Sequence, residues 1–220
     1  MRDHYGKVVF DSIDEVLDPS HCALLVIDMQ NDLMSEQGAY ASVGEDVAPM
    51  RAAISPIRAL IESARESRVP IIYTMNVTLA NGRSDSPAWA YFKNYSRPGL
   101  NGAYTIEGTW GAEIIPEVSP TALDLTVRKH RSDAFVGTDL EIMLRALGVK
   151  TVVTCGIVTN GCVESTARHA AFLDFCSVVV EDAVASSSHE LHLAALTVLR
   201  ARHDVVSTEL VAKRWKRGNE

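Results

Sequence analysis

The stretch 150–175, KTVVTCGIVTNGCVESTARHAAFLDF, joins a strand pattern to a helix pattern through a short turn. Its first residues, 150–155, are mainly β-branched and apolar, which predicts a buried strand. Residues 163–175 are rich in Ala and carry apolar side chains at helical spacing, which predicts a helix. Cys162 therefore falls in the first turn of the predicted helix.

This position suggests a chemical role for Cys162. The free N–H groups and the positive end of the helix dipole favour negative charge at a helix start. We expect them to lower the pKa of the thiol and to populate the reactive thiolate. The same N–H groups can hold an oxyanion. The alternative is a small apolar side chain that fills space under the sheet, and the stretch alone leaves both open.

Strand and helix patterns alternate along the rest of the chain. Residues 22–28 are continuously apolar up to a closing Asp, which is typical of a parallel sheet covered on both faces. The sequence therefore predicts an α/β fold, a three-layer α-β-α Rossmann-like sandwich with a six-stranded, mainly parallel sheet. The further strands are predicted at 69–75, 123–129, 176–181 and 203–207, and the further helices at 46–66, 140–147 and 188–200.

Three segments lie outside this alternation. Residues 1–20 are polar and irregular and predict an N-terminal arm or a surface coil, and residues 212–220 are charged and predict a loose tail. Residues 76–120 form a connection long enough to suggest an active-site wall or lid, with a short helix at 109–118. A surface excursion or a subunit contact is the alternative for this segment. No shift in composition divides the chain, so we expect a single domain over 1–220.

Composition and charge exclude several classes of protein. The 220 residues are 47% hydrophobic and 22% charged, as in soluble globular proteins. The net charge of −7 and the pI near 5.5 argue against nucleic-acid binding. No apolar run is long enough to span a membrane, and the N-terminus has no signal-peptide pattern. The four cysteines and the scattered histidines have no metal-site spacing. We expect a cytoplasmic protein without a metal or cofactor.

Three polar residues follow or close predicted strands. Asp28 ends the strand at 22–28, Lys129 ends the strand at 123–129, and Cys162 follows the strand at 150–155. Sites in open parallel sheets form beyond the carboxyl ends of the strands, so all three should lie on one rim. Together they supply a nucleophile, a carboxylate base and a cation.

Three motifs in this order extend the pattern: LLVIDMQND at 24–32, VRK at 127–129 and GIVTNGCVEST at 156–166. With them the sequence resembles the isochorismatase-like cysteine hydrolases, over 22 to about 206. The resemblance implies a catalytic triad of Asp28, Lys129 and Cys162. It also implies a cis peptide bond between Ile157 and Val158, and an oxyanion hole made of the N–H groups of Val158 and Cys162.

The implied chemistry is hydrolysis of a linear amide through a thioester. Asp28 accepts the thiol proton of Cys162, and Lys129 stabilises and orients the charged pair. The thiolate attacks the carbonyl, Asp28 protonates the leaving amine, and water activated by Asp28 cleaves the thioester.

The substrate is suggested by finer details of the motifs. The run TNGCVEST at 159–166 and the run GAY at 38–40 look most like the ureidoacrylate, N-carbamoylsarcosine and biuret amidohydrolases. We therefore expect a small ureido or carbamoyl amide that releases ammonia. The first motif has no nearby His, which disfavours a metal-dependent nicotinamidase. Cys162 disfavours the isochorismatases that cleave a vinyl ether without a nucleophile.

Other assignments remain open at this stage. Asn31, Trp110 and Phe135 are candidate substrate contacts, although packing roles suit Trp110 and Phe135 too. Asn31, Arg83 and Arg97 could bind a carboxylate, but solvated surface roles suit the two arginines better. The alternative functions are hydrolysis of a maleamate- or nicotinamide-like amide and a non-catalytic thiol-sensing scaffold. The presence of Asp28 and Lys129 argues against a sensor, which needs no proton acceptor. By resemblance, we expect a homo-oligomer, a dimer or tetramer.

Overall fold

The computed structural model describes residues 1–217 and contains two sheets. The smaller is an antiparallel hairpin of β1 (Arg2–His4) and β2 (Lys7–Val9). The larger has six strands, and every neighbouring pair in it is parallel. Its strands are β3 (Cys22–Ile27), β4 (Ile71–Asn76), β5 (Leu125–Lys129), β6 (Thr151–Ile157), β7 (Cys176–Ala185) and β8 (Asp204–Val206). Their order across the sheet is β5-β4-β3-β6-β7-β8, which confirms the predicted parallel sheet.

Helices and short helical turns connect the strands. The helices are α1 (Ile13–Val16), α2 (Asn31–Met34), α3 (Ala39–Ser42), α4 (Ala48–Ala52), α5 (Ile54–Glu66), α6 (Pro87–Ser96), α7 (Leu140–Ala146), α8 (Glu164–Phe172), α9 (His189–Arg200) and α10 (Thr208–Arg217). None of the helices within residues 1–217 combines the length and apolarity that crossing a membrane requires.

The core lies on both faces of the sheet, as the apolar run of β3 predicts. Leu24 and Val26 belong to one cluster, which also holds Leu60 of α5. Leu25 and Ile27 belong to the cluster on the other face, with side chains of α7 and α8. Because side chains alternate along a strand, the two faces of β3 bury its whole length between helical layers. The three-layer arrangement is thus confirmed.

The two ends of the chain differ from their predictions. The N-terminal arm is not irregular, since it contains the hairpin β1–β2 and the helix α1. The tail is not loose over residues 212–217, because they belong to α10, which packs on α5. Val211 and Trp215, four residues apart, are both fully buried on one face of α10. The surrounding charges hide this short apolar stripe in the sequence. The remaining tail residues, 218–220, lie outside the described part of the chain.

The long segment 76–120 contains a helix that the sequence analysis did not predict. Ser86 caps α6 by accepting a hydrogen bond from the backbone N–H of Trp89. Inside this segment, the buried Lys93 Nζ lies 2.8 Å from Asp85 Oδ2 and donates to Thr78 Oγ1 at 2.9 Å. In place of the helix predicted at 109–118 there are two 3-10 turns, Trp110–Ala112 and Pro116–Val118.

Candidate active site

Asp28 is held at the carboxyl end of β3 by the neighbouring strand. Its φ is +50°, and its backbone N–H donates to the carbonyl of Thr74 at 3.1 Å. The hydroxyl of Thr74 donates to Asp28 Oδ1 at 2.8 Å. The side chain is completely buried. The left-handed backbone turns the carboxylate away from the strand, and Thr74 leaves Oδ2 to face the other site residues.

Lys129 connects the two other residues of the predicted triad. It ends β5, one strand beyond β4, and its side chain is fully buried. Its Nζ lies 2.7 Å from Asp28 Oδ2 and 3.3 Å from Cys162 Sγ, and it donates to the carbonyl of Arg131 at 3.0 Å. Burial alone would lower the pKa of Lys129, but Asp28 and Cys162 together raise it above its ordinary value. The amino group is therefore a fixed cation.

Cys162 lies in a single π-helical turn, Thr159–Val163, which precedes α8. The sequence analysis predicted the first turn of the helix itself. The carbonyl of Val158 accepts hydrogen bonds from the N–H groups of Gly161, at 3.1 Å, and Val163, at 3.2 Å. These bonds fix the turn that carries the thiol. The bond between Ile157 and Val158 is cis, as the resemblance implies.

Gly156 allows β6 to approach β3 closely just before this turn. Its φ is +113°, and a Cβ placed on it would lie 2.2 Å from the carbonyl oxygen of Ile27. Only a residue without a side chain fits there. The close approach brings the turn of Cys162 beside Asp28, the residue that follows Ile27.

The expectation of a lowered pKa for Cys162 is wrong for this structure. Burial, the largest effect, raises the pKa of the thiol to about 12, although Lys129 opposes it. The carboxylate of Asp28 adds to the increase because a second anion beside it is unfavourable. The resting thiol therefore keeps its proton. Asp28 is the carboxylate beside it, since Lys129 Nζ contacts both groups.

A cavity of about 450 Å³ opens over Asp28 and Cys162. Its volume suits a small organic molecule. Much of its wall is aromatic or aliphatic, and Arg97 and Asp28 are the charged side chains among the lining residues that the structure describes. It is lined by Asp28, Leu33, Tyr40, Asn76, Trp89, Phe92, Tyr95, Ser96, Arg97, Tyr104, Ser132, Ile157, Val158, Asn160, Gly161, Cys162 and Leu191.

The structure places the three predicted substrate contacts away from this wall. Asn31 is buried, and its amide donates to the carbonyl of Trp110 at 2.8 Å. The Trp110 side chain is half exposed. Phe135 is buried in the core and lies near Phe175 and His169. None of the three lines the cavity, since Asn31 bonds to the loop and Phe135 packs in the core.

Sequence reasoning missed the residues that do form the wall. Tyr40 is the last residue of the run GAY at 38–40, which was used only to suggest the substrate class, and Arg97 was given a surface role. No motif or pattern in the sequence identified Tyr104 as a site residue. These residues come together because Asp32, in α2, accepts a hydrogen bond from the N–H of Thr105 at 2.6 Å. That bond holds the segment 76–120 against the first motif.

Gln30 ties the same two regions together. Its buried amide donates to the carbonyls of Asn76, at 2.9 Å, and Ala112, at 2.8 Å, and its oxygen accepts from the Asn76 N–H at 2.8 Å. The polar residues of the first motif therefore fix the wall. No group of three or more His, Cys, Asp or Glu side chains within residues 1–217 could hold a metal ion.

Comparisons with known proteins agree with this geometry. The isochorismatase domain model matches residues 22–209. A ureidoacrylate amidohydrolase, RutB, from Agrobacterium fabrum is 35% identical over 175 residues, which are 76% of this chain and 77% of the relative. A cysteine hydrolase structure from Pseudomonas syringae pv. phaseolicola superposes with a TM-score of 0.81 at 25% identity, over 91% of this chain and 94% of that one.

A second solved structure is an N-carbamoylsarcosine amidase from Thermoplasma acidophilum. It superposes with a TM-score of 0.67 at 29% identity and covers 86% of this chain and 96% of its own. The family model covers well over half of the sequence. The chain therefore belongs to the isochorismatase family and is a hydrolase of carbon–nitrogen bonds other than peptide bonds.

Proposed function

We propose that this protein is a cysteine amidohydrolase that cleaves the terminal C–N bond of a small ureido or carbamoyl compound and releases ammonia. One observation carries the proposal. The amino group of Lys129 touches both the Asp28 carboxylate, at 2.7 Å, and the Cys162 thiol, at 3.3 Å, beneath the cavity. This arrangement couples a protonated nucleophile to a base.

Acylation begins with the transfer of the thiol proton from Cys162 to Asp28. The Sγ–C bond forms at the substrate carbonyl, and the carbonyl oxygen becomes an oxyanion. We propose that the N–H groups of Val158 and Cys162 hold this oxyanion. The C–N bond then breaks, and Asp28 returns the proton to the leaving nitrogen, which departs as ammonia. Lys129 stays charged throughout and compensates the negative charge that moves between carboxylate, thiolate and oxyanion.

Deacylation uses the same groups in reverse. Water enters the place that ammonia left and gives a proton to Asp28 as its oxygen attacks the acyl carbon. The C–S bond breaks, and Asp28 returns the proton to Sγ. For a ureido substrate the intermediate is a thiocarbamate form of the thioester, and the product is a carbamate. The net reaction consumes one water and restores the enzyme.

The substrate class rests on two supports. The cavity volume of about 450 Å³ suits a compound of modest size. The relative from Agrobacterium fabrum is named for ureidoacrylate, and the solved structure from Thermoplasma acidophilum is named for N-carbamoylsarcosine. Both compounds carry a terminal –NH–CO–NH₂ or related carbamoyl nitrogen. We assign the same class to this chain.

Ammonia release from a panel of amides tests the proposal. The panel contains ureidoacrylate, N-carbamoyl amino acids, biuret, maleamate and nicotinamide, with Cys162→Ala as the inactive variant. We expect turnover of a ureido or carbamoyl compound and loss of about 10⁴-fold or more in the variant, as for other covalent nucleophiles. Cys176→Ala is a matched control because Cys176 lies at the start of β7, outside the cavity. Turnover confined to nicotinamide or maleamate would contradict the substrate class.

The proposal includes the compartment and the assembly. All four cysteines are free thiols, which fits the reducing cytoplasm. Tyr91 and Tyr95 of α6 are exposed by 73% and 76%, and a second copy of the chain would cover such an aromatic face in a homo-oligomer. Light scattering coupled to size exclusion would give the number of subunits.

A further inference from the structure

We propose that Arg97, Tyr40 and Tyr104 form a carboxylate-binding site at the wall of the catalytic cavity, so that the preferred substrate is a ureido or carbamoyl acid. This inference rests on the proposed function and narrows its substrate class. Within residues 1–217, Arg97 is the cationic side chain among those that line the cavity, whereas Lys129 is fully buried beneath it. In the cavity, an acidic substrate can therefore bind one cationic side chain, Arg97.

The guanidinium of Arg97 is held in a fixed orientation. Its Nε lies 3.1 Å from Glu45 Oε1, and its Nη1 donates to the carbonyl of Ser96 at 2.9 Å. The guanidinium carbon lies 4.6 Å from the centroid of the Tyr40 ring. Ser187 also donates to the carboxylate of Glu45. Glu45 and the Tyr40 ring thus fix one edge and one face of the guanidinium.

This arrangement leaves donors for a ligand. A guanidinium has five N–H bonds. Nη1 donates one of them to the Ser96 carbonyl, and Nε faces the Glu45 carboxylate as an ion pair without a hydrogen bond to it. The other three N–H bonds, on Nη1 and Nη2, have no hydrogen-bond partner among residues 1–217. Two N–H bonds of a guanidinium match the two oxygens of a carboxylate in a bidentate pair. The free edge of Arg97 has that geometry.

The two tyrosines supply neutral donors beside the guanidinium. Their rings meet edge to face, with centroids 5.7 Å apart, and both line the cavity. Neither hydroxyl is hydrogen-bonded to any residue within 1–217, and neither is sealed from the cavity. Burial raises the pKa of Tyr40 to about 12 and raises that of Tyr104 as well. Both hydroxyls therefore remain O–H donors at neutral pH.

The site shares its cavity with the nucleophile, since Arg97, Tyr40, Tyr104 and Cys162 all line it. A ligand with its carboxylate on Arg97 would thus place a second polar group near Cys162 if a short chain separates the two. A ureido group joined to a carboxylate through a short chain fits this description. A neutral amide would leave the Arg97 donors without a partner, which is costly in a partly buried site.

The experiment compares an acid with its neutral ester. Ureidoacrylate and its methyl ester share the reacting ureido group and differ in the charge at the other end. In Arg97→Gln, kcat/KM for the acid should fall by about 10- to 150-fold, mainly through KM, because a hydrogen bond to a charged group is lost. The ester should change less than about 3-fold. Arg83→Gln is the matched control, since Arg83 is exposed in the same segment and does not line the cavity.

Tyr40→Phe and Tyr104→Phe give a second test, which holds even if Arg97→Gln fails to fold. Each removes a hydroxyl and keeps the ring, and each should weaken the acid selectively. A wild-type preference for the ester, or equal losses for acid and ester in folded Arg97→Gln, would overturn the carboxylate site.

Failure of the proposed function would look different. If the wild type turns over no ureido compound, ligand-observed NMR with butyrate and butyramide tests the carboxylate site directly. Binding of butyrate alone, lost in Arg97→Gln and kept in Arg83→Gln, would support the site. Equal signals from butyrate and butyramide would contradict it.

Discussion

The floor and the wall of the cavity are built in different ways. The floor consists of Asp28, Lys129 and Cys162, each placed at or just after the carboxyl end of a parallel strand. The wall consists of α6, of Tyr40 in α3 and of the loop around Tyr104, which hydrogen bonds and ion pairs hold on the sheet. The floor is therefore positioned by the strands of the sheet, and the wall by buried polar contacts between segments far apart in sequence. This difference suggests that the floor sets the reaction and the wall sets the substrate.

The largest expected effect comes from adding one methyl group to a glycine beside the floor, compared with the same change in the segment that carries the wall. In Gly156→Ala, the new Cβ would lie 2.2 Å from the Ile27 carbonyl oxygen, so β3 and β6 must separate. We expect a loss of more than about 4 kcal/mol in the free energy of unfolding. In Gly82→Ala, which has φ +67° and open space around it, the loss should be about 1 kcal/mol. Urea denaturation measures both, and equal values would contradict the argument.

The next effect is on turnover. Asp28→Asn removes the base but keeps the shape of the side chain and its contact with Thr74. We expect kcat to fall by about 10²- to 10⁴-fold, because proton transfer from and to the thiol is lost. Steady-state ammonia release measures it. Thr74→Val, which removes only the hydroxyl that orients Asp28, should cost less, and the reverse order would refute Asp28 as the base.

A buried lysine in the wall provides the matching test of stability. Lys93→Met leaves the Asp85 carboxylate without its partner, which costs about 3–5 kcal/mol when the pair is well buried. Because Lys93 does not line the cavity, kcat on any substrate at low temperature should fall much less than in Lys129→Met. Chemical denaturation measures the loss of stability, and ammonia release measures the loss of kcat. We expect the first to be large and the second to be small in Lys93→Met.

The pH dependence of Cys162 alkylation measures the protonation state of the Cys162 thiol in the floor. The pKa of the thiol is raised to about 12, so at neutral pH the thiol is protonated and its reaction with iodoacetamide should be slow. The rate should keep rising with pH up to 10, without a plateau. Asp28→Asn removes an anion that raises this pKa, so alkylation at pH 8 should become about 10-fold faster while turnover falls. A plateau below pH 9 in the wild type would contradict the buried, protonated thiol.

The smallest effect concerns the support of Arg97. Ser187→Ala removes a hydroxyl that donates to Glu45, which in turn fixes the guanidinium. We expect KM for a carboxylate substrate to rise only about 2- to 5-fold, since one neutral hydrogen bond contributes about 1 kcal/mol or less here. The value of kcat should not change. Ser188→Ala, which removes a helix cap next to it, is the control for effects on α9 alone.

The sequence by itself determined the sheet and the positions of Asp28, Lys129 and Cys162 along it. Short continuous apolar runs are typical of strands buried on both faces, and parallel strands place their carboxyl ends on one rim. Apolar runs and strand ends are local features of the sequence, so they can be predicted without the tertiary structure. The cis bond before Val158, which the resemblance implies, is present in the structure. The catalytic roles of the triad are still predictions.

The tertiary structure decided what surrounds these residues. Burial and a neighbouring carboxylate reverse the shift expected for the pKa of Cys162, because the helix start is only one of several influences on the thiol. Arg97 belongs to the cavity only because Tyr40 and Glu45, more than 50 residues earlier, contact its guanidinium. Trp215 is buried only because α5 offers an apolar face. Such contacts join residues that are far apart in sequence, and no local pattern records which distant partner completes them.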